Sequence, residues 1–313
     1  MSSAALRESF DAMGTTITLM VRPASGKEDA ARRVLAERRA WFEEIERALS
    51  RFRPDSELSR LNRAGCAGQW CLVSPLLFWA LEAAQWAYEA TGGLVDAGVL
   101  PALARYGYDR DWHALGGPAG LLPPGDEAEP PAGARPAGRP PFELDRAIRA
   151  VRIRPGAALD LGGVVKGLAA DSAAAWLAQR FGAALVDAGG DVAARALPGS
   201  PPWVVQVDGS PIALEVRQGG VATSGLRRWW VGPLGPAHHL IDPGTGAPVR
   251  TDVVSATVAE SGALRAEVLA KALILAGSRR IGALMERWPH ASAFVRLRDG
   301  RVLTWGVSLA HAS

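Results

Sequence analysis

Asp299-Gly300 stands between two runs of alternating apolar residues, Ala291–Leu297 and Arg301–Trp305. An Asp-Gly pair supplies the positive φ that a two-residue hairpin turn demands, so the spacing predicts that these runs pair antiparallel. AVRIRPGAALDL, residues 150–161, reads as another hairpin. In Thr15–Val21, Ile17, Leu19 and Val21 alternate with threonines, the mark of a half-buried strand. Further short strands are predicted at Ala184–Val186, Trp203–Val207, Ile212–Val216 and Asp252–Ala259, the last rich in β-branched residues.

Helical periodicity separates these strands. Glu28–Leu49 carries Val34, Leu35, Trp41, Phe42, Ile45 and Leu49 on one face. Pro54 breaks this pattern and a short helix restarts near Ser56. Ser74-Pro75 offers a capping hydroxyl followed by proline at the first helical position, and Thr91-Gly92-Gly93 ends that helix. Leu94–Tyr108 reads as a turn and a second short helix. Lys166–Phe181, closed by Gly182, is predicted to turn Leu168, Ala173, Trp176, Leu177 and Phe181 inward. Leu264–Ala276 is a helix stopped by Gly277. Hairpins mixed with helices predict an α+β fold of mixed and antiparallel sheets with packed helices, not a doubly wound parallel sheet.

The chain has 313 residues, 48% hydrophobic and 21% charged, enough for one large core or two modest ones. The stretch His113–Pro141 is dominated by Gly, Pro and Ala and reads as a flexible surface insert rather than a boundary. A net charge of +3, with no basic stretch interleaved with aromatics, gives no argument for nucleic acid. Cys66 and Cys71 are spaced wrongly for a zinc ribbon or a thioredoxin motif. The N-terminal residues contain no apolar leader-like core, and no run reaches 18 apolar residues. The expectation is a soluble cytoplasmic protein with no stable membrane insertion.

Chemistry is sought in a series of glycine-bearing segments. LDLGGVVKGLAAD places Asp160, two glycines and Lys166 just before a helix. It is neither G-x-G-x-x-G nor a P-loop. It reads either as a tight turn or as a backbone lying close to a phosphate at a helix N-terminus, with a cation nearby. DAGGD and GGVATSG read as two more turns, the latter carrying the hydroxyls of Thr223 and Ser224 for phosphate or ribose. In HHLIDPGTGAPV, His239 and Asp242 form either a general-base pair or a structural hydrogen bond.

Taken in order, MGTTITL, SRFRPDSELSRLN, GGLVDAGVLPALARYGYD, LDLGGVVKGLAAD, LVDAGGD, VATSG, HLIDPGTGAPV and AEVLAKALILAG resemble the ApbE-type FAD:protein FMN transferases from Met13 to about Gly277. The resemblance implies a single domain over 1–313, with room for two lobes and a T-fold-related architecture. Such enzymes split FAD, attach FMN through a phosphoester to a Ser or Thr of an acceptor protein, and release AMP. By matched position, Met13, Phe52, Leu94, Val95, Asp96, Asp160, Lys166 and Ile241 would line the FAD site, and His239 would be the base. The family's metal, usually magnesium, maps to Gly163, Glu267 and Lys271.

Lysine departs from the family pattern there, because a protonated ammonium cannot ligate a metal. Four readings stay open: an ordinary i,i+4 ion pair worth about 0.3–0.5 kcal/mol, an ammonium in place of magnesium, a metal held by other ligands, or a dead site. Two rival functions accompany them, a flavin-binding relative without transfer and an FAD pyrophosphatase yielding FMN and AMP.

Overall fold

The computed structural model describes residues 5–65, 68–110, 112–117, 120–121, 139–207 and 213–306. Most of the predicted insert 113–141, and Cys66, lie outside them. The centre of the fold is an eight-stranded sheet: β1 Leu6–Ala12, β2 Thr15–Val21, β3 Ala183–Ala188, β4 Asp191–Ala196, β5 Gln218–Gly225, β6 Val253–Glu260, β7 Ser292–Leu297 and β8 Val302–Trp305. Their order across the sheet is their order along the chain, and every adjacent pair is antiparallel. This is the α+β architecture that the hairpin signals predict.

Side-chain alternation divides the sheet into two apolar faces. One carries Ile17, Leu19, Val186, Ala193, Ala222 and Val258 and packs under the helices. The other carries Leu185, Val192, Ala194 and Val221, covered by Trp203 and Val205 of the hairpin Trp203–Gln206/Ala213–Val216. Helices Val165–Phe181 and Ala263–Ala276 lie on the first face. Their contact surfaces are alanine-rich, which lets backbones approach closely. A Cβ on Gly167 would stand 2.7 Å from the Ala263 carbonyl oxygen, and one on Gly220 of β5 only 2.1 Å from the Ala263 nitrogen. Glycine is required at both positions because two helices meet at Gly167, and helix and strand at Gly220, backbone to backbone.

Several sequence expectations are corrected. GGVATSG is not a turn but most of β5, and its glycines serve close approach rather than chain reversal. DAGGD is a turn, but Asp191 opens strand β4. In 150–161 only Ala150–Ile153 is a strand; it pairs with Phe142–Asp145, and residues 154–161 run as turn and coil. The inner face of Val165–Phe181 is Val165, Ala169, Ala170, Ala173, Ala174, Leu177 and Ala178. Leu168, Trp176 and Phe181 are only partly buried, because small residues suit the close packing better than large ones. Among the described residues, no helix is long and apolar enough to cross a membrane.

Candidate functional site

A cleft of about 1490 Å³ opens at one end of the large sheet. That exceeds the few hundred to about 1,000 Å³ common for small-molecule pockets, and leaves room for an extended ligand. Its wall takes in the β1–β2 turn, the β3–β4 turn, the end of β5 and the segment leading into Val165–Phe181. Met13, Phe52, Leu94, Val95, Asp96, Asp160, Gly163, Lys166, Thr223, Ser224, His239, Ile241 and Lys271 all line it. The cleft therefore collects side chains that the sequence scatters over more than 250 positions.

Met13 shows how the fold holds such a residue. It sits in the two-residue turn Met13-Gly14 with φ at +57°, and its N–H donates to Glu46 Oε2 at 3.1 Å. A left-handed backbone at a residue other than glycine, Asn or Asp costs on the order of 1 kcal/mol and persists only where neighbours hold it.

Asp160 is fixed from two sides. Its Oδ1 accepts the Gly162 N–H at 2.8 Å, and its Oδ2 pairs with Arg51 Nε at 3.0 Å. Asn62 anchors the same segment by bonding both backbone groups of Leu159. Arg51 was not visible as a site residue in the sequence. Its side chain is 6% exposed, lies over the rings of Phe52 and Tyr108, and donates to the Tyr108 carbonyl at 2.7 Å. Phe52, Tyr108 and Trp230 continue as a ladder of ring contacts at 5.7 and 4.9 Å. This end of the cleft thus presents a stacked aromatic and guanidinium surface.

The cleft also holds a four-charge cluster. Lys166 Nζ pairs with Asp191 and donates to Glu267 Oε1 at 2.8 Å. Lys271 Nζ donates to the same Oε1 at 2.8 Å. Glu267 Oε2 accepts the Gly167 N–H at 2.9 Å, an orphan donor in the first turn of Val165–Phe181. The side chains of Glu267 and Asp191 are 0% and 5% exposed, those of Lys271 and Lys166 15% and 24%. Lys166, Lys271 and Asp191 therefore line the cleft, and the Glu267 carboxylate holds both ammoniums from beneath.

The titration of the cluster follows from burial and contact. Burial opposes the charge on Lys166, but Asp191 and Glu267 outweigh it and raise its pKa. Burial alone would raise Glu267; contact with Lys166 and Lys271 overrides it and holds the carboxyl at about 2. Asp191 is pushed up to about 6, by burial first and then by Glu267, against the pull of the lysines.

His239 is half-buried and faces the same wall. Burial first, then the neighbouring His238 and the cations Lys271, Arg228 and Lys166, push its pKa down to about 3, so the imidazole is neutral. Its neighbour His238 is locked structurally: Nδ1 accepts the Leu240 N–H at 3.3 Å and Nε2 donates to the Val249 carbonyl at 3.2 Å. Asp242 does not partner His239 among the described residues, nor does it line the cleft. Its Oδ1 accepts the Gly244 N–H at 2.8 Å and its carbonyl the Gly246 N–H at 2.7 Å. An Asp before Pro-Gly satisfies its own turn. The expected pairing is corrected accordingly.

Thr223 and Ser224 also divide their roles. As successive residues of β5 they point to opposite faces, and Thr223 Oγ1 shares a hydrogen bond with Thr257 Oγ1 at 2.8 Å across β5 and β6.

The residues at the expected metal position do not fit a divalent cation. Both Glu267 oxygens are engaged, one of them by two ammoniums. A dication there would meet like charges that repel by about 4 kcal/mol per unit pair at about 4 Å, for an effective dielectric of about 20. Among the described residues, no group of three His, Cys, Asp or Glu side chains is placed to hold a metal.

One cleft of an antiparallel α+β fold is thus lined both by the Lys166 and Lys271 ammoniums and by the stacked Arg51, Phe52 and Tyr108 side chains. The sequence model of the ApbE family matches residues 13–295, and the chain belongs to the ApbE family. It is 31% identical over 302 residues to an FAD:protein FMN transferase of Rhodobacter capsulatus, covering 93% of this chain but 54% of that protein, about half its length. It is 30% identical over 303 residues to the FAD:protein FMN transferase of Treponema pallidum, covering 87% of this chain and 81% of the relative. Its fold is similar to the ApbE protein of Thermotoga maritima, with a TM-score of 0.78, 23% identity and 97% of each chain covered.

Proposed function

We propose that this chain transfers FMN from FAD to a serine or threonine hydroxyl of an acceptor protein and releases AMP. The hydroxyl oxygen attacks the phosphorus on the FMN side of the pyrophosphate. A phosphoester bond forms, the bridging P–O bond breaks, and AMP leaves with the bridging oxygen.

The observation that carries this reading is the placement of neutral His239 on the wall that also bears the ammoniums of Lys166 and Lys271. A base must be unprotonated to take the hydroxyl proton, and burial with the surrounding cations keeps the His239 ring so in the ligand-free protein. The ammoniums would meet the negative charge that develops on the transferring and leaving groups. They are held in place by Glu267 and Asp191, so little reorganisation is needed as the reaction proceeds. Arg51, Phe52 and Tyr108 offer a stacking surface for a flat ring system in the same cleft. The names of the similar bacterial proteins agree with transfer rather than with simple hydrolysis.

The test is incubation with FAD and an acceptor domain that a family relative modifies, read by the intact mass of the acceptor. A gain equal to FMN supports transfer. FMN and AMP free in solution, with an unmodified acceptor, would mean that water is the nucleophile.

A further inference from the structure

We propose that the Lys271 ammonium occupies the place of the divalent cation implied by the family, and that this site works without a bound metal. The inference deepens the transfer reading for FAD, but its metal half stands independently of it.

The juxtaposition that carries it is Lys271 between Glu267 and the Gly163 turn. Lys271 Nζ donates to Glu267 Oε1 at 2.8 Å, and its Cδ and Cε lie 3.9 and 3.8 Å from where a Cβ on Gly163 would stand. The side chain thus runs along the backbone segment that enters the Val165–Phe181 helix. Lysine at the surface of a helix normally extends its charge into water. Here the charge stays at 15% exposure, on the cleft wall, above a carboxylate that is 0% exposed. Burying an ion pair is costly unless both partners are well satisfied. Glu267 is satisfied by three donors: Gly167 N–H, Lys166 and Lys271.

That satisfaction leaves Glu267 with no oxygen free for a metal. It also gives the wall two positive charges, Lys166 and Lys271, with Asp191 beside Lys166 and Glu267 behind both. A lysine binds phosphate as a point charge, whereas a magnesium ion would need open oxygen ligands in octahedral array. This wall offers ammoniums, and among the described residues no group of three His, Cys, Asp or Glu side chains is placed to hold a metal.

Two measurements on the full chain test the inference. Manganese binding is followed by electron paramagnetic resonance, on the protein alone and with FAD. FAD affinity is followed by flavin fluorescence, in EDTA and with magnesium. The wild type is expected to bind no manganese at the site and to hold FAD equally well in EDTA. Lys271→Met is expected to weaken FAD binding at least about tenfold, and Lys271→Arg to keep it within about threefold, because charge rather than chain length is the requirement. Magnesium is not expected to rescue Lys271→Met. Melting temperatures of the variants separate loss of fold from loss of affinity.

About one tightly bound manganese per wild-type chain would overturn the inference, as would unchanged FAD affinity in a folded Lys271→Met protein. If the wild type binds no FAD under either condition, the transfer reading fails while the manganese result still decides the metal question.

Discussion

Asp171 and Glu267 cap each other's helices. Asp171, on Val165–Phe181, accepts the Ala263 and Leu264 N–H groups at 2.9 and 3.0 Å, at the start of Ala263–Ala276. Glu267, one turn into that second helix, accepts the Gly167 N–H in the first turn of the first. Each carboxylate satisfies an orphan donor on the other helix, and anions suit helix N-termini. The exchange fixes the relative depth of the two helices, and with it the positions of Lys166 and Lys271 on the cleft wall.

Asp171→Ala removes one half of this exchange. It leaves two N–H groups without a side-chain acceptor and Arg195 without its carboxylate partner. A loss of roughly 2 kcal/mol is expected in urea unfolding. FAD affinity should fall as well, since the first turn positions Glu267. A variant as stable as the wild type would contradict the capping account.

Gly220→Ala tests the backbone contact. A methyl group there meets the Ala263 nitrogen at 2.1 Å, and neither partner is a flexible side-chain end. Overpacking commonly costs about 1–3 kcal/mol, and this case belongs at the upper end. Thermal unfolding reads the effect; an unchanged midpoint would mean that helix and strand separate more easily than their packing implies.

Arg51→Met removes the buried partner of Asp160 while keeping an apolar stem over Phe52. A loss on the order of 3 kcal/mol is expected, because the carboxylate is left with only its own turn to satisfy it. Denaturant unfolding measures it, and a change below that seen on mutating exposed Arg39, itself in an i,i+4 pair, would contradict the assignment.

His239 gives a pH prediction. Its folded-state pKa is depressed from 6.5 to about 3, so the folded protein favours the neutral ring. Its contribution to stability is fully present above the unfolded value and is lost as pH falls from about 6.5 toward 3. In the ligand-free protein, the His239 ring resonances should stay at their neutral positions down to pH 5. A titration midpoint near 6.5 by NMR would contradict the burial and the cationic surroundings described for it. His239→Asn should lower turnover by about a hundredfold or more while leaving FAD affinity nearly intact.

Local signals made much of the fold legible. Glu28–Leu49 and the Ser74-capped helix, ending at the left-handed Gly92, follow their periodicity and caps. The Asp299-Gly300 hairpin appears where expected, but it closes at Leu297 and Arg301 around three residues, with positive φ at Gly300 alone, rather than around two. Non-local pairing was not legible. β1 is a polar-looking stretch that becomes a strand because β2 pairs with it. Asp191 looked like the end of a turn, and its partner Lys166 lies 25 residues away. Glu267 reaches Gly167 across 100 residues, a contact that no helical period reveals. Asp242 was misread for the opposite reason: nearby His239 suggested a pair, but the turn that Asp242 opens uses its carboxylate.

The most direct measurement is a single-turnover reaction of the wild-type protein with FAD and an acceptor domain, run in EDTA. AMP and the acceptor's intact mass are followed together. The account predicts equimolar AMP and FMN-bearing acceptor without added metal. Bound FAD with no AMP, in EDTA and with magnesium alike, would contradict it and leave a flavin-binding protein in its place.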